Sequence, residues 1–180
     1  MLKTALAQIN PTVGDFAGNI DKIRTMYVRA KQAGVNLLIF PELSICGYPP
    51  EDLLLRKHFL AENKKAVELI ASQCPDITMM LGFAEFSDGL CYNSLAIVQS
   101  GQIAKVYHKC QLPDYGVFDE KKYFAAGSEP AVFKIGQTTV VCTICEDIWE
   151  LQWLTNFLAS IEQKNLLVNI SASPFHAGKI

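Results

Sequence analysis

The chain has 180 residues, of which 50% are hydrophobic and 19% are charged, and its formal net charge is −2. Intrinsic disorder requires low hydrophobicity and a high net charge, so this composition excludes it and favours one folded domain. The sequence has no basic cluster for nucleic acid, no apolar run of the roughly 18 residues that a membrane span needs, and no apolar export segment at its N-terminus. We therefore expect a cytoplasmic protein that binds neither nucleic acid nor membranes.

The six cysteines are a second constraint on the class of protein. A disulfide framework is typical of exported chains with small cores, and this chain has neither property. We predict reduced thiols, one of which is free to act as a nucleophile. The cysteines are Cys46, Cys74, Cys91, Cys110, Cys142 and Cys145.

The first half of the chain alternates strand-like and helix-like segments. Apolar residues recur at helical spacing from Ile20 to Ala30, and Gly34 follows as a helix stop. The run NLLIF at residues 36–40 is typical of a parallel strand that is covered on both faces. The predicted elements are a strand over residues 3–9, a helix over 19–33, a strand over 36–40 and a long helix from residue 49 to about residue 73.

The second half is richer in strands. The turns SDG and SG predict hairpins between three strands over residues 77–86, 91–99 and 102–112. Two further strands over 131–135 and 138–144 precede a helix over about 148–163 and a strand over 165–170. That helix is expected to bury one apolar stripe, formed by Trp149, Trp153, Leu154, Phe157 and Ile161.

This order predicts an α/β fold with a mixed sheet or a two-sheet sandwich. An α/β fold normally supplies another helix after its final strand, and here the sequence ends ten residues after that strand. We therefore expect that the C-terminal part of the domain is missing and that the last strand has an unpaired edge.

Three predicted strand ends each present one reactive side chain. Glu42 follows the strand over 36–40, Lys109 lies near the end of a second strand, and Cys145 stands where a β-branched strand meets a helix. Side chains at strand ends commonly form the sites of α/β folds, and a base, a cation and a nucleophile are the parts of covalent acyl transfer. Each also has a plain structural interpretation: an exposed carboxylate, a surface lysine and a small buried thiol.

The position of Cys145 predicts an unusual thiol. A helix start, a nearby base and a nearby cation would each favour the thiolate, so Cys145 is expected to be the only cysteine with a strongly lowered pKa.

The pair Cys142 and Cys145 also spells C-x-x-C, which is found in redox and zinc sites. Cys142 lies inside a strand, where residues three apart point to opposite faces, and no second cysteine pair supplies further zinc ligands. His108 and His176 are candidates for a Cys–His hydrolase, although their spacing does not favour that role over a surface position.

Longer motifs narrow these alternatives. The segments FPEL at 40–43, KCQLP at 109–113 and CEDIW at 145–149 resemble the Glu, Lys and Cys signatures of the nitrilase, or carbon–nitrogen hydrolase, superfamily. Within it, SICGYPPEDLL at 44–54, LPDYGVFDEKKYF at 112–124, NISASPF at 169–175 and GK at 178–179 are similar to the glutaminase domains of glutamine-dependent NAD synthetases. The likeness runs in order over nearly all of the chain.

The resemblance implies a role for each candidate site residue. Cys145 is the nucleophile, Glu42 the general base and Lys109 the cation beside the tetrahedral intermediate, with Glu120 positioning Lys109. The backbone N–H near Glu146 helps to stabilise the oxyanion. The residues implied to bind the substrate are Tyr48, Tyr115, Glu146, Ser171 and Ser173.

The same resemblance implies the fold, the ligands and the partners. Residues 1–180 would form an incomplete nitrilase-like α-β-β-α sandwich that hydrolyses glutamine without a metal or a cofactor. ATP, Mg and deamido-NAD would bind a C-terminal synthetase domain that is absent here, because the chain has no Gly-Gly phosphate loop. A homo-oligomer is expected. The alternatives are another nitrilase-type amidase or carbamoylase, and a non-catalytic α/β fragment.

Overall fold

The computed structural model describes residues 1–174 and 177–178. Its larger sheet has five strands in the order β1-β2-β3-β4-β5, with parallel pairing from β1 to β3 and antiparallel pairing from β3 to β5. The strands are β1 (Thr4–Leu6), β2 (Leu37–Ile39), β3 (Thr78–Ser87), β4 (Leu90–Gln99) and β5 (Gln102–His108).

The smaller sheet has three strands in sequence order. Its first pair, β6 and β7, is antiparallel, and β7 pairs in parallel with β8. The strands are β6 (Ala131–Ile135), β7 (Thr138–Ile144) and β8 (Leu166–Ile170), and the α-helices are α1 (Phe16–Gln32), α2 (Lys57–Gln73) and α3 (Leu151–Ala159).

Two apolar cores hold these layers together. Helices α1 and α2 cover one face of the larger sheet, where Ile23 and Val67 pack with Leu38. The other face packs against the smaller sheet, and this second core also contains Phe157 of α3 and Ile161, which follows that helix. The burial of both faces of β2 explains its uninterrupted apolar run. The predicted two-sheet α/β sandwich is confirmed.

Three predicted helical features differ from the structure. The segment predicted as one helix from residue 49 is a 3₁₀ helix (Glu51–Leu55) followed by α2, because Arg56 between them is extended with ψ 110°. The last helix is shorter than predicted and is preceded by a four-residue 3₁₀ helix (Cys145–Ile148). Trp149 follows this short helix and is 65% exposed, so its predicted place in the buried stripe was wrong.

The topology brings four strand ends to one side of the molecule. β2 and β5 run in the same direction within the larger sheet, and β7 and β8 run in parallel in the smaller one. Their C-terminal ends lead to Glu42, Lys109, Cys145 and Ser171, respectively. Within the described residues, no helix is long and apolar enough to cross a membrane.

Candidate active site

Glu42, Lys109 and Glu120 form a buried charged network. The Lys109 Nζ donates to Glu42 Oε1 at 2.8 Å and to Glu120 Oε1 at 2.9 Å, and it lies 2.8 Å from Glu120 Oε2. None of the three side chains is more than 5% exposed. The sequence placed Glu42 and Lys109 at separate strand ends, and the structure joins them directly.

The network has one cation for two carboxylates. Burial alone would lower the pKa of Lys109, but Glu42 and Glu120 outweigh it and raise that pKa above its ordinary value. Burial also raises the pKa of Glu120, against the opposing effect of Lys109. The ammonium is therefore fixed in its charged form beside Glu42.

Asn93 on β4 ties this pair to the larger sheet. Its side-chain Nδ2 donates to Glu42 Oε1 at 2.8 Å, and its carbonyl oxygen accepts from the Lys109 backbone N–H at 2.9 Å. The side chain is fully buried. Asn93 was not predicted from the sequence, since a single asparagine within a strand carries no local signal of this role.

Cys145 lies at the junction of β7 and the 3₁₀ helix. Its φ of 45° is a strained conformation for a residue with a side chain, and such strain is concentrated at functional sites. The Ser171 hydroxyl donates to Cys145 Sγ at 3.4 Å, and Ser173 Oγ lies 3.6 Å from the sulfur. Between the two serines, the Ala172 N–H donates to Glu42 Oε2 at 2.9 Å. The segment after β8 thus links the thiol to the buried carboxylate.

The expected lowering of the Cys145 pKa was wrong. Burial, followed by the charge of Glu42, raises the pKa of this thiol, although Lys109 acts in the opposite direction. The helix contribution is small because the helix at Cys145 has only four residues and α3 begins six residues later. The thiol therefore needs a base that removes its proton during the reaction.

Two of the implied pocket residues, both tyrosines, donate hydrogen bonds to glutamates of the candidate site. The Tyr48 hydroxyl donates to Glu120 Oε1 at 3.0 Å, whereas the exposed Tyr115 hydroxyl donates to the two oxygens of Glu146 at 3.0 and 2.9 Å. Phe118 contacts both tyrosine rings, with centroid distances of 6.5 and 5.6 Å, and was not predicted.

A polar cavity of about 460 Å³ opens beside Glu42 and Tyr48. Ser171, Ala172 and Ser173 form one wall of this cavity, and residues 8–11 form another. Residues 8–11 were not predicted from the sequence, because their approach to the site depends on how the chain continues from β1.

The other candidate sites are not assembled. Cys142 is fully buried in the core between the sheets, and all six cysteines are free. His108 Nε2 lies 2.7 Å from Glu85 and its ring stacks on Tyr92. Among residues 1–174 and 177–178, no three His, Cys, Asp or Glu side chains are grouped to hold a metal ion. The predictions for Phe175, His176 and Lys179 lie outside the described residues.

Comparison with known proteins relates this arrangement to one family. Residues 3–174 match the family described as carbon-nitrogen hydrolase. The glutamine-dependent NAD(+) synthetase of Thermotoga maritima is 47% identical over 180 residues, which cover 99% of this chain and 31% of that protein. The enzyme of the same name from Aquifex aeolicus is 40% identical over 181 residues, with coverages of 99% and 31%. The chain spans about a third of the length of these curated relatives.

Solved structures of similar proteins have the same fold as this chain. The glutamine-dependent NAD+ synthetase from Acinetobacter baumannii, in complex with adenosine diphosphate, superposes with a TM-score of 0.93 at 38% identity. The match covers 99% of this chain and 34% of that one. An amidase from Nesterenkonia sp. shares the fold, with a TM-score of 0.83 at 22% identity over 98% of this chain and 66% of the amidase.

Proposed function

Because the chain belongs to the carbon–nitrogen hydrolase family, we propose that it hydrolyses the side-chain amide of glutamine to glutamate and ammonia through a Cys145 thioester. The observation that carries this proposal is the buried Glu42–Lys109 pair, 2.8 Å apart, joined by Ala172 to the segment that contacts the Cys145 sulfur. The proposed base and cation lie with a thiol, carried by a residue of strained backbone, where three strands end.

The first half of the proposed reaction forms the thioester. Glu42 takes the proton of the Cys145 thiol as the sulfur attacks the amide carbon, and the carbonyl oxygen becomes an oxyanion. The Lys109 ammonium and the Glu146 N–H stabilise that charge, since the first N–H groups of a helix have no acceptor within it. The C–N bond then breaks, and the leaving nitrogen takes the proton from Glu42 to depart as ammonia.

The second half regenerates the thiol. A water molecule gives a proton to Glu42 and attacks the thioester carbon, and the C–S bond breaks. The sulfur leaves with that proton, so glutamate is released and Cys145 and Glu42 return to their starting states. Glu120 acts throughout by holding Lys109, through contacts of 2.9 and 2.8 Å.

The proposed glutamine pocket extends from the polar cavity, which Tyr48 lines, to Tyr115. Tyr115 would close the pocket on its exposed side, with Glu146 held by the Tyr115 hydroxyl and available to the substrate's amino group. Ser171 and Ser173 would contact the amino-acid end of the substrate, which the exposure of both residues permits.

In the complete protein, we propose that the ammonia feeds a synthetase domain that amidates deamido-NAD to NAD. The basis is the name shared by relatives of which this chain spans about a third. ATP, Mg and deamido-NAD would bind that domain and not residues 1–180. We further propose a homo-oligomer in the cytoplasm, where a reducing environment would keep the six thiols free.

The experiment that tests this function separates ammonia release from ammonia use. In the complete protein, Cys145→Ala should abolish NAD formation with glutamine and preserve NAD formation with ammonium, because the two steps use different sites. Cys91→Ala, at a half-buried thiol on β4, is the matched control and should preserve both activities. Equal loss of both activities in Cys145→Ala, or hydrolysis of other amides but not of glutamine, would contradict the proposal.

A further inference from the structure

Asp147 is a buried carboxylate to which the mechanism above gives no role. It lies two residues after Cys145 in the 3₁₀ helix and is fully buried. A buried carboxylate is costly unless hydrogen bonds replace its lost water, so its partners indicate what it does.

All four contacts of Asp147 are donated to it. Oδ2 accepts from the Ile144 N–H at 2.8 Å and from the Tyr107 hydroxyl at 2.8 Å. Oδ1 accepts from the Cys110 N–H at 3.0 Å and from the Gln111 N–H at 2.8 Å. Burial raises the pKa of Asp147, while these hydrogen bonds act in the opposite direction. With two donors on each oxygen, the carboxylate is satisfied only as an acceptor.

These partners belong to the two sheets that carry the reacting groups. Ile144 ends β7 in the smaller sheet and immediately precedes Cys145. Tyr107 is on β5 of the larger sheet, and Cys110 and Gln111 directly follow Lys109. No strand ladder joins the two sheets in the described residues, so contacts such as those of Asp147 help to set the separation of Cys145 and Lys109.

We propose that Asp147 is a positioning residue that clamps the two sheets together and thereby sets the geometry between the Cys145 thiol and the Lys109 ammonium. The proposal rests on the proposed amide hydrolysis. The effect of Asp147 would be greatest when the oxyanion forms. Stabilisation of the oxyanion requires a fixed distance and orientation between the Lys109 ammonium and the Cys145 sulfur. Iodoacetamide attack on the thiol forms no oxyanion and should depend less on the clamp.

Asp147→Asn in the complete protein is the test variant, since an amide keeps the shape but replaces one acceptor oxygen with a donor. We expect kcat for amide hydrolysis to fall about 100-fold, the scale for a displacement of about 1 Å at a reacting centre. KM and the rate of Cys145 alkylation should change far less. Tyr107→Phe removes one of the four hydrogen bonds and retains the charge, so it should cause a smaller loss of kcat.

Asp76→Asn is the matched control. The Asp76 carboxylate also accepts from a tyrosine hydroxyl, that of Tyr27 at 2.6 Å, but it lies at the surface and pairs with Lys31. This variant should lose some stability and keep its kcat. All variants are assayed well below their melting temperatures, and near-UV circular dichroism is recorded for each to compare its packing with that of the wild type.

Two results would overturn the clamp. One is an unchanged kcat in a folded Asp147→Asn variant, and the other is a parallel loss of kcat, alkylation and near-UV signal, which would indicate a general structural role. If the proposed function is wrong, the wild-type protein does not hydrolyse glutamine, which is a separate observation. The kcat values of Asp147→Asn and wild type are then compared on the amide that the wild type does cleave.

Discussion

The Glu42 carboxylate acts on the Cys145 thiol in two opposing ways. As a neighbouring negative charge it raises the pKa of the thiol, and as the proposed base it removes the thiol proton during hydrolysis. Glu42→Gln should therefore lower the pKa of Cys145 and speed its alkylation by iodoacetamide at neutral pH. The same variant should lose about 10²- to 10⁴-fold in amide hydrolysis because the base is gone.

The measurement is the pH dependence of alkylation beside the rate of ammonia release, with labelling at Cys145 identified by mass spectrometry. Glu62→Gln, at an exposed carboxylate paired with Lys65, is the control and should leave both rates unchanged. Slower alkylation of Cys145 in Glu42→Gln would contradict the electrostatic part of this picture. Retained hydrolysis would contradict the role of Glu42 as base.

Lys109 is the second residue whose charge can be tested. Lys109→Met leaves Glu42 and Glu120 buried without their cation, and removal of one partner from a buried ion pair typically costs about 3–5 kcal/mol. Burial already raises the folded-state pKa of Glu120, and loss of the ammonium should raise it further. A carboxyl whose pKa is higher in the folded state binds more protons there, so stability falls as the pH rises from its unfolded to its folded pKa.

The deficit of Lys109→Met should therefore be smallest at acidic pH and grow towards neutral pH. Urea unfolding of wild type and variant between about pH 5 and pH 8 measures it. Lys122→Met is the control, because Lys122 is exposed and pairs with Asp119 at 3.6 Å, so its loss should matter little. A deficit that does not change with pH would indicate that lost packing, and not the unpaired buried carboxylates, causes the loss of stability.

At the scale of the elements, two glycines let the strand ends that carry Glu42 and Lys109 approach their neighbours. A Cβ on Gly82 of β3 would lie 2.4 Å from the Leu43 nitrogen and 2.6 Å from the Pro41 oxygen. A Cβ on Gly127 would lie 2.3 Å from the carbonyl oxygen of His108, just before Lys109. Both contacts are with backbone, which cannot rotate away as a side chain can.

Gly82→Ala should displace the segment that carries Glu42, and Gly127→Ala should displace the segment that carries Lys109. We expect a loss of about 1–3 kcal/mol in the free energy of unfolding, as for overpacking, together with a marked fall in kcat. Gly34→Ala is the control, since Gly34 has φ +68° but no heavy atom near its Cβ position. Gly34→Ala should lower the free energy of unfolding by about 1 kcal/mol and leave kcat unchanged. A Gly82→Ala variant with native kcat would show that the Glu42 loop tolerates the shift.

The elements also show what local sequence could predict. Strands β6 and β7 have the predicted bounds, because two short runs rich in apolar and β-branched residues flank a GQ turn and so specify a hairpin locally. The break at Arg56 was not predicted, since no proline or glycine marks it. Trp149 was assigned to a buried stripe by helical spacing, but it precedes α3 and the spacing does not apply to it.

At the scale of the whole molecule, the site depends on contacts that no local pattern specifies. Glu42 and Lys109 are 67 residues apart, and Ala172 is 130 residues from Glu42. Motif resemblance predicted that Glu42, Lys109, Glu120 and Cys145 share a site. The raised pKa of Cys145 could not be predicted from it, because that pKa depends on burial and on the Glu42 charge.

The edge of the smaller sheet leads to a prediction about association. In the described part of the chain β8 pairs only with β7, so its other edge presents unpaired N–H and C=O groups, and Leu167 on that strand is 39% exposed. Such an edge readily pairs with another chain. We expect the 180-residue chain to self-associate through β8, with a mass that rises with concentration in sedimentation velocity experiments.

Leu167→Lys should weaken this association, because a lysine on an edge strand adds charge and opposes pairing with a second copy. Leu55→Lys is the matched control: Leu55 is 69% exposed and lies in the first 3₁₀ helix, away from the smaller sheet. It should leave the association unchanged. If the wild-type chain stays monomeric at every concentration, the edge is not a site of association. If both variants weaken association equally, general apolar contact drives it, and pairing along β8 does not.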